Sequence, residues 1–509
     1  MNKKYVLCGV LFWAAVSGYM GLRILDSYTE DAVAAALSGI PATAEEIKYS
    51  FLRNSLAITG LEYDIPHETV QRKGRIERIE VQNFNRKILF VLPRMAEYSP
   101  EILPRVAERV TFSGWKDTLH EHEVKIISSI AQVTVEGWHQ RLGLVLDQYA
   151  RYGVGKRFFE ELMRCRMAQA VATGISVEKK AEGTGKLSIA RVFLPKGILP
   201  PAMDEKMHAQ DVALEKLAFS SPAASFSSGS MSIQGALLPD PENLERLMAG
   251  DGWRGWTDFS FSLAEAYGSR TPFSRISMSG VSVVDAVSGE KLDFEGASCS
   301  LERKNGFLDA GFAVQAARGF FRNWQGASSF VQEGEPALDA TLTASLRSDA
   351  VKSDVRCTVR GLGEMEFLSQ VKGDMRGILQ SVTPGQTNFT MKKFAAVTLE
   401  KAKFRYADTG LFAFLLGSQA KKDGKKPDVL LEEYVAVASA MAQGKGQLQA
   451  QAGRVIQEQL GHPGEIMVEL QHPLPVPSLA MALLISPDQI PLSIQSAPGA
   501  KSLQDYFPR

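Results

Sequence analysis

VALEKLAF, Val212–Phe219, returns later in the chain as VTLEKAKF, Val397–Phe404, and both copies carry apolar residues at offsets 0, 2, 5 and 7. A strand turns successive side chains to opposite faces, so offsets 0 and 2 share one face and offsets 5 and 7 would share the other. A single apolar face survives only if the backbone bulges or bends between the two pairs. The phrase therefore predicts a strand with a register break, at Lys216 in one copy and at Lys401 in the other. The same spacing occurs in Leu56, Ile58, Leu61 and Tyr63 around Gly60, and in Ile276, Met278, Val281 and Val283 around Gly280. Ile76, Ile79 and Val81 supply a partial fifth copy. The copies are unevenly spaced, which argues against a solenoid of equal units.

Further strand text lies between these phrases: Glu123–Trp138, KLSIARVFLP, KLDFEGASCSLER, GFLDAGFAVQAA, ALDATLTASLRS and DVRCTVRG. Long amphipathic stretches separated by turn residues favour antiparallel sheet over βαβ units. Helical text follows the N-terminus as EDAVAAALSGIP, with ATAEEIKYSFL as a possible restart, and returns from His139 to Ala172. It closes the chain in DTGLFAFLLGSQAKK, PDVLLEEYVAVASAMA and GQLQAQAGRVIQEQL, where Pro427 suits a first helical turn. Ala218–Ser232, rich in Ser and Gly, reads as a loop. In YADTGLF, Asp408 or Thr409 is placed to cap the helix that follows and so to dock the C-terminal helices on the sheet.

Tyr5–Leu22 is an uncharged run of 18 residues behind Lys3 and Lys4, with Arg23 at its far end. At about 1.5 Å per residue it can span a bilayer core of about 30 Å, and the basic flank orients the rest of the chain outside the cytoplasm. A cleaved signal peptide is the competing reading. The expected fold class is α+β and β-rich: an N-terminal transmembrane helix, long curved antiparallel sheets with helical insertions, and a C-terminal helical group. The expected divisions are an anchor over 1–26, a β-rich domain with a helical insertion over 27–220, a central antiparallel region over 221–392, and a strand with a helical module over 393–509.

Lys plus Arg and Asp plus Glu both number 57, so no global field draws the chain to nucleic acid. Catalytic signals are weak. His120 and His122 would share a strand face but lack a visible third metal ligand. GTGKLS, Gly183–Ser188, lacks the leading part of a phosphate loop and reads as a hairpin turn. No G-x-S-x-G elbow is present. The reading is a non-enzyme with no cofactor and no metal. Four cysteines make no disulfide framework; Cys299 and Cys357 could pair across a sheet or remain buried thiols.

The anchor, the helix after it, and SLAITGLEYD followed by GRIERIEV resemble the AsmA-like superfamily of membrane-anchored envelope proteins of Gram-negative bacteria. The segment FRYADTGLF through KKPDVLLEEY resembles a module of uncharacterised bacterial envelope proteins. The first resemblance implies a single-pass inner-membrane protein with its bulk in the periplasm, and an apolar groove linked to phospholipid movement or outer-membrane homeostasis. The residue pattern then nominates Leu56, Ile58, Val212, Leu214, Ile276, Met278, Val397 and Leu399 as groove lining. The alternatives are an ordinary core at these positions, and an envelope scaffold that binds other proteins without a lipid groove.

Overall fold

A computed structural model of the chain describes residues 25–35, 37–38, 41–67, 70–85, 105–121, 124–140, 165–180, 184–195, 210–236, 273–304, 307–319, 337–347, 349–373, 397–476 and 490–507, with positions 20, 23, 478 and 488. Tyr5–Leu22 lies outside the described residues, apart from Met20. Among the described residues no helix is long and apolar enough to cross a membrane, which does not bear on spans made of strands. The chain divides into two compact units, Met1–Ser274 with Asp285–Val287, and Arg275–Val284 with Ser288–Arg509.

In the first unit, helix α1 (residues 25–35) precedes β1 (Ala42–Thr43) and β2 (Glu46–Ser50), and both strands pair with β3 (Ser55–His67). Antiparallel neighbours follow through β4 (Val70–Gln82), β5 (Arg105–Glu121) and β6 (Val124–Gln140). The two-residue β7 (Cys165–Arg166) and the long β8 (Gln169–Lys180) both pair with β6; then come β9 (Gly185–Leu194), β10 (Gln210–Ser220) and β11 (Ala224–Ala236).

The second unit runs antiparallel through β12 (Arg275–Asp285), β13 (Lys291–Lys304), β14 (Phe307–Ala317), β15 (Leu338–Leu346), β16 (Ala350–Val359), β17 (Gly363–Lys372) and β18 (Thr398–Asp408). Helices α2 (Leu411–Asp423), α3 (Pro427–Ala442) and α4 (Gln447–Gly461) intervene. After them β19 (Glu465–Leu470) and β20 (Leu474–Pro475) return to β18, and β21 (Leu492–Ala497) pairs with β19.

The register breaks fall where the alternation requires them. Gly60, Lys216 and Gly280 have φ of 59°, 51° and 57°, the left-handed region that reverses side-chain parity within a strand. At the fourth site Gln370 pairs with Lys401 but Val371 with Leu399, so Glu400 is the extra residue of a bulge. The breaks also align across strands. Gly60 lies opposite Glu77, which lies opposite Gly114. The line continues through Ala131, Gly174, Ala190 and Lys216 to Gly229. Left-handed residues recur on β3, β5, β8 and β10 of this line, so every strand it crosses can flip parity at the same level. A side chain at Gly114 would have its Cβ 2.3 Å from the Glu77 carboxyl carbon, so the position needs glycine for space as well as for φ.

Because the flips align, one face stays predominantly apolar across the first unit. Ile58 faces Ile79, then Phe112 and Val133. The same row continues as Ala172, Val192, Leu214 and Met231. The opposite face carries exposed ion pairs, among them Arg75–Glu62 at 2.9 Å, Arg109–Glu136 at 2.7 Å and Arg191–Glu215 at 3.3 Å. Such pairs add little stability and serve mainly to keep that face wet.

Three local readings are corrected. ATAEEIKYSFL does not restart the helix; Ala42–Thr43 and Glu46–Ser50 pair with β3, since a polar-apolar alternation beside an open strand edge completes a ladder more readily than a short helix propagates. Ala218–Ser232 is, apart from a turn at 221–223, the end of β10 and most of β11: Phe226 and Met231 face Phe219 and Leu214, Ser228 is buried opposite Leu217, and Ser230 lies opposite Glu215 on the wet face. The helical text from His139 ends in strand, with residues 139–140 in β6 and 169–172 in β8; residues 141–164 lie outside the described set.

Candidate functional site

The apolar faces are the candidate surface, and they differ in how much covers them. In the first unit Leu56 and Ile58 are 4% and 7% exposed, packed with Ile79, Val81 and Val110 beneath Val33 of α1. The helix is tied down by its acids: Glu30 accepts the Tyr49 amide and Asp26 the Phe51 amide, each at 2.7 Å. Val212 and Leu214, on the same face six strands away by pairing, are half-buried.

In the second unit the equivalent row starts at Ile276, which faces Cys299, Phe312 and Leu342 in turn. It continues through Val355, Phe367 and Phe404 to Val468 and Ile494. Phe312, Leu342 and Phe367 are 47%, 40% and 40% exposed, and Met365 beside Phe367 on the same face is also exposed. Ile276, Met278 and Leu399 are half-buried and Val397 is buried. One end of this face is closed by Phe414 of α2, fully buried against Val359 and Leu362.

The junction that positions α2 is YADTGLF. Asp408 Oδ1 accepts the Phe412 amide at 3.0 Å and also the Tyr406 hydroxyl, so of the two capping candidates Asp408 acts. Burial, reinforced by that carboxylate, raises the Tyr406 hydroxyl pKa above its ordinary value. Tyr406 stacks edge-on to Phe412 with ring centroids 5.9 Å apart. Gly363 faces Asp408 because a Cβ there would meet the Ala407 carbonyl at 2.8 Å. Gly453 of α4 permits the close crossing with α3, where a Cβ would sit 2.3 Å from the Ala442 amide nitrogen. Pro427 opens α3 as the sequence indicated.

A polar cluster that the sequence did not announce lies on the otherwise apolar face of the first unit. The Tyr63 hydroxyl donates to Asp117 at 2.7 Å and accepts from the Trp115 indole at 2.9 Å; Arg72 Nε donates to both Asp117 oxygens at 3.0 Å. Tyr63, Gly74 and Asp117 stand in one cross-strand row, and the Tyr63 ring passes over Gly74, where a Cβ would be 2.2 Å from it. Burial, then the bond to Asp117, push the Tyr63 hydroxyl up to about 12. A carboxylate this buried is tolerable only because a guanidinium and a phenol satisfy it. The glycine in mid-strand was the available signal.

An open cleft of about 1050 Å³ lies beside this cluster, bounded by Ala34, Leu37, Ile47 and Tyr63. The cations at its mouth are already paired: Arg75 with Glu45 and Glu62, Lys73 with Asp64, Lys116 with Glu77. His120 lies on β5 and His122 outside the described residues; no group of three metal-ligating side chains occurs among the described residues. Cys299 and Cys357 are free thiols. They stand on β13 and β16, three strand spacings or about 14 Å apart, beyond the reach of a disulfide, so of the two alternatives the pairing is the one that fails. Burial raises the Cys357 thiol pKa, which suits a packing residue.

A family model described as "Uncharacterized protein" matches residues 356–496, the stretch from mid-β16 to the end of β21 that includes the three C-terminal helices. No curated protein matches the chain.

Proposed function

We propose that this is a non-enzymatic envelope protein, held in the inner membrane by Tyr5–Leu22 with its bulk in the periplasm, whose apolar sheet faces bind lipid. One observation carries the reading: Phe312, Leu342, Met365 and Phe367 are exposed side by side on β14, β15 and β17, with Val355 of β16 completing the row. Scattered exposed apolar residues need no explanation, but a contiguous row on one face of consecutive strands marks a binding surface. Strands about 4.8 Å apart present such a row as a continuous lane, which suits an acyl chain lying across them. The resemblance to AsmA-like proteins supports the same ligand class.

Photocrosslinkers at Met278, Phe312, Phe367 and Leu399 test the reading in cells. Phospholipid adducts at these positions, with none at the covered Ile58, are the expected result. Protein adducts without lipid would instead favour a scaffold. That alternative has its own support in α3, which leaves Val429, Tyr434 and Val437 exposed.

A further inference from the structure

On the apolar face of the second unit, the row beside Phe312, Leu342, Val355, Phe367 and Phe404 consists of short side chains. Ala310 of β14 faces Ala344, which faces Ser353, then Ser369, then Ala402 of β18, and all five are half-buried. The row on their other side returns to large residues, from Leu308 through Leu346, Val351 and Val371 to Leu399. Half-buried strand positions favour β-branched and aromatic side chains, so five small residues in register on five strands depart from the ordinary composition of a sheet face. Rows of one face lie two residues apart along the strand, so the two tall rows stand about 13 Å apart with a low floor between them.

The floor also has ends. Leu301 of β13 faces Ala310, and Leu470 of β19, next after the Lys403–Glu469 pair, stands beyond Ala402. Each sets a large side chain one strand past the last short one, and Leu470 is buried. Within the floor the Ser353 and Ser369 hydroxyls are bonded to each other at 2.6 Å, so the two polar groups of the row engage one another and a hydrocarbon can lie over them. Four strand spacings of about 4.8 Å make the floor about 19 Å long. With C–C bonds of about 1.5 Å at tetrahedral angles an extended hydrocarbon advances about 1.25 Å per carbon, so about 16 carbons fill that length.

Resting on the lipid-binding reading above, we propose that this trough in the exposed face takes one acyl chain of a phospholipid, laid across β14–β18, and selects it by length between Leu301 and Leu470. The tall rows flank the chain, the short row gives it depth, and the two leucines set its limits. A shorter chain leaves part of the apolar floor in water and a longer one leaves carbons outside the trough. Either mismatch weakens binding, by up to about fourfold per carbon at the ordinary transfer value of a methylene.

The test uses the full chain purified in detergent with a photocrosslinker at Phe367, so that only lipid on this face is counted. It is offered an equimolar mixture of lauroyl, palmitoyl and arachidoyl lysophosphatidylcholine, and the adducts are identified by mass spectrometry. Palmitoyl adducts should exceed each of the others by about tenfold or more. Ala310→Leu fills one end of the floor and shortens it by one strand, or about four carbons, so the maximum should move to the lauroyl lipid. Leu301→Ala opens that end by the same amount and should move the maximum to the arachidoyl lipid. The two shifts are opposite in sign, so either variant decides even where the other fails to fold. Adducts in the ratio of the mixture, or a maximum that stays at palmitoyl in a folded variant, overturn selection by length. Absence of any adduct would instead remove the lipid-binding reading of this face, so the two failures are told apart.

Discussion

The first and second units use one strand grammar for opposite ends. At β3–β5 the apolar face lies under α1, and Leu56 is 4% exposed; at β14–β17 the same kind of face is bare, and Phe312 is 47% exposed. In both, alternation with a parity flip within the strands decides which side is apolar. What decides between core and surface is a separate element laid over it: α1 in one unit, Phe414 of α2 over part of the other. Strand pattern thus specifies a face, and coverage specifies its use.

The contrast breaks most easily at its two poles. Leu56→Ala, beneath α1, should cost about 2–5 kcal/mol by transfer and cavity terms, whereas Phe312→Ala should change stability by less than about 1 kcal/mol because the ring is already half in water. Urea unfolding of each variant measures both. If Phe312→Ala proved as costly as Leu56→Ala, the second face would be a core and the lipid lane would not exist. Next in size is Gly114→Ala, for which about 1–3 kcal/mol is expected, since a left-handed φ of 64° and the Glu77 carboxyl oppose the methyl together. Gly361→Ala, at φ 76° with nothing within 4 Å of the added Cβ, should cost only the backbone term of about 1 kcal/mol. Denaturation midpoints of the two variants compare crowded and open glycines directly.

Much of this was legible in the residues, and the losses have physical causes. The breaks at Gly60, Lys216 and Gly280 follow from parity alone, because a misplaced flip would turn every later apolar side chain outward. β11 was hidden because its serines mimic loop composition, while Phe226, Met231 and Ile233 carry the alternation at a lower density. Of the eight groove candidates, seven sit on strands and Val397 is buried just before β18, but Leu56 and Ile58 are packed under α1, which no local pattern in β3 reveals. The Tyr63–Asp117 bond joins residues 54 apart and depends on the register of three strands, so only Gly74 hinted at it.

That cluster gives the third prediction. Tyr63→Phe removes a donor to a buried carboxylate and an acceptor from Trp115, for about 1–3 kcal/mol. The wild type carries an alkaline signature as well: the folded Tyr63 hydroxyl titrates near 12, above its ordinary 10.0, so its contribution is intact below about 10 and disappears as pH rises through about 12. Urea midpoints taken between those limits should fall for the wild type more steeply than for Tyr63→Phe. Parallel curves would mean that the phenol is not held by Asp117.

The smallest effect is expected at Asp339 in the open unit, where the sign is reversed. Arg360 donates to its two oxygens at 2.7 and 3.0 Å, and the amide of Ala316, itself left-handed at φ 48°, donates to Oδ1 at 2.8 Å. These bonds, Arg360 first, hold the carboxyl below its ordinary pKa against a partial burial that opposes them. A depressed folded pKa stabilises above the unfolded value and is lost as pH falls through the folded one, so the wild type should weaken in acid. Asp339→Asn keeps an acceptor for the Ala316 amide but removes the charge facing Arg360, and its stability should be flatter over the same acid range. The group is partly exposed and screened, so the difference between the two curves should be small beside that at Tyr63. A larger acid dependence at Asp339 than alkaline dependence at Tyr63 would mean that the Arg360–Asp339 pair is shielded from solvent despite its exposure.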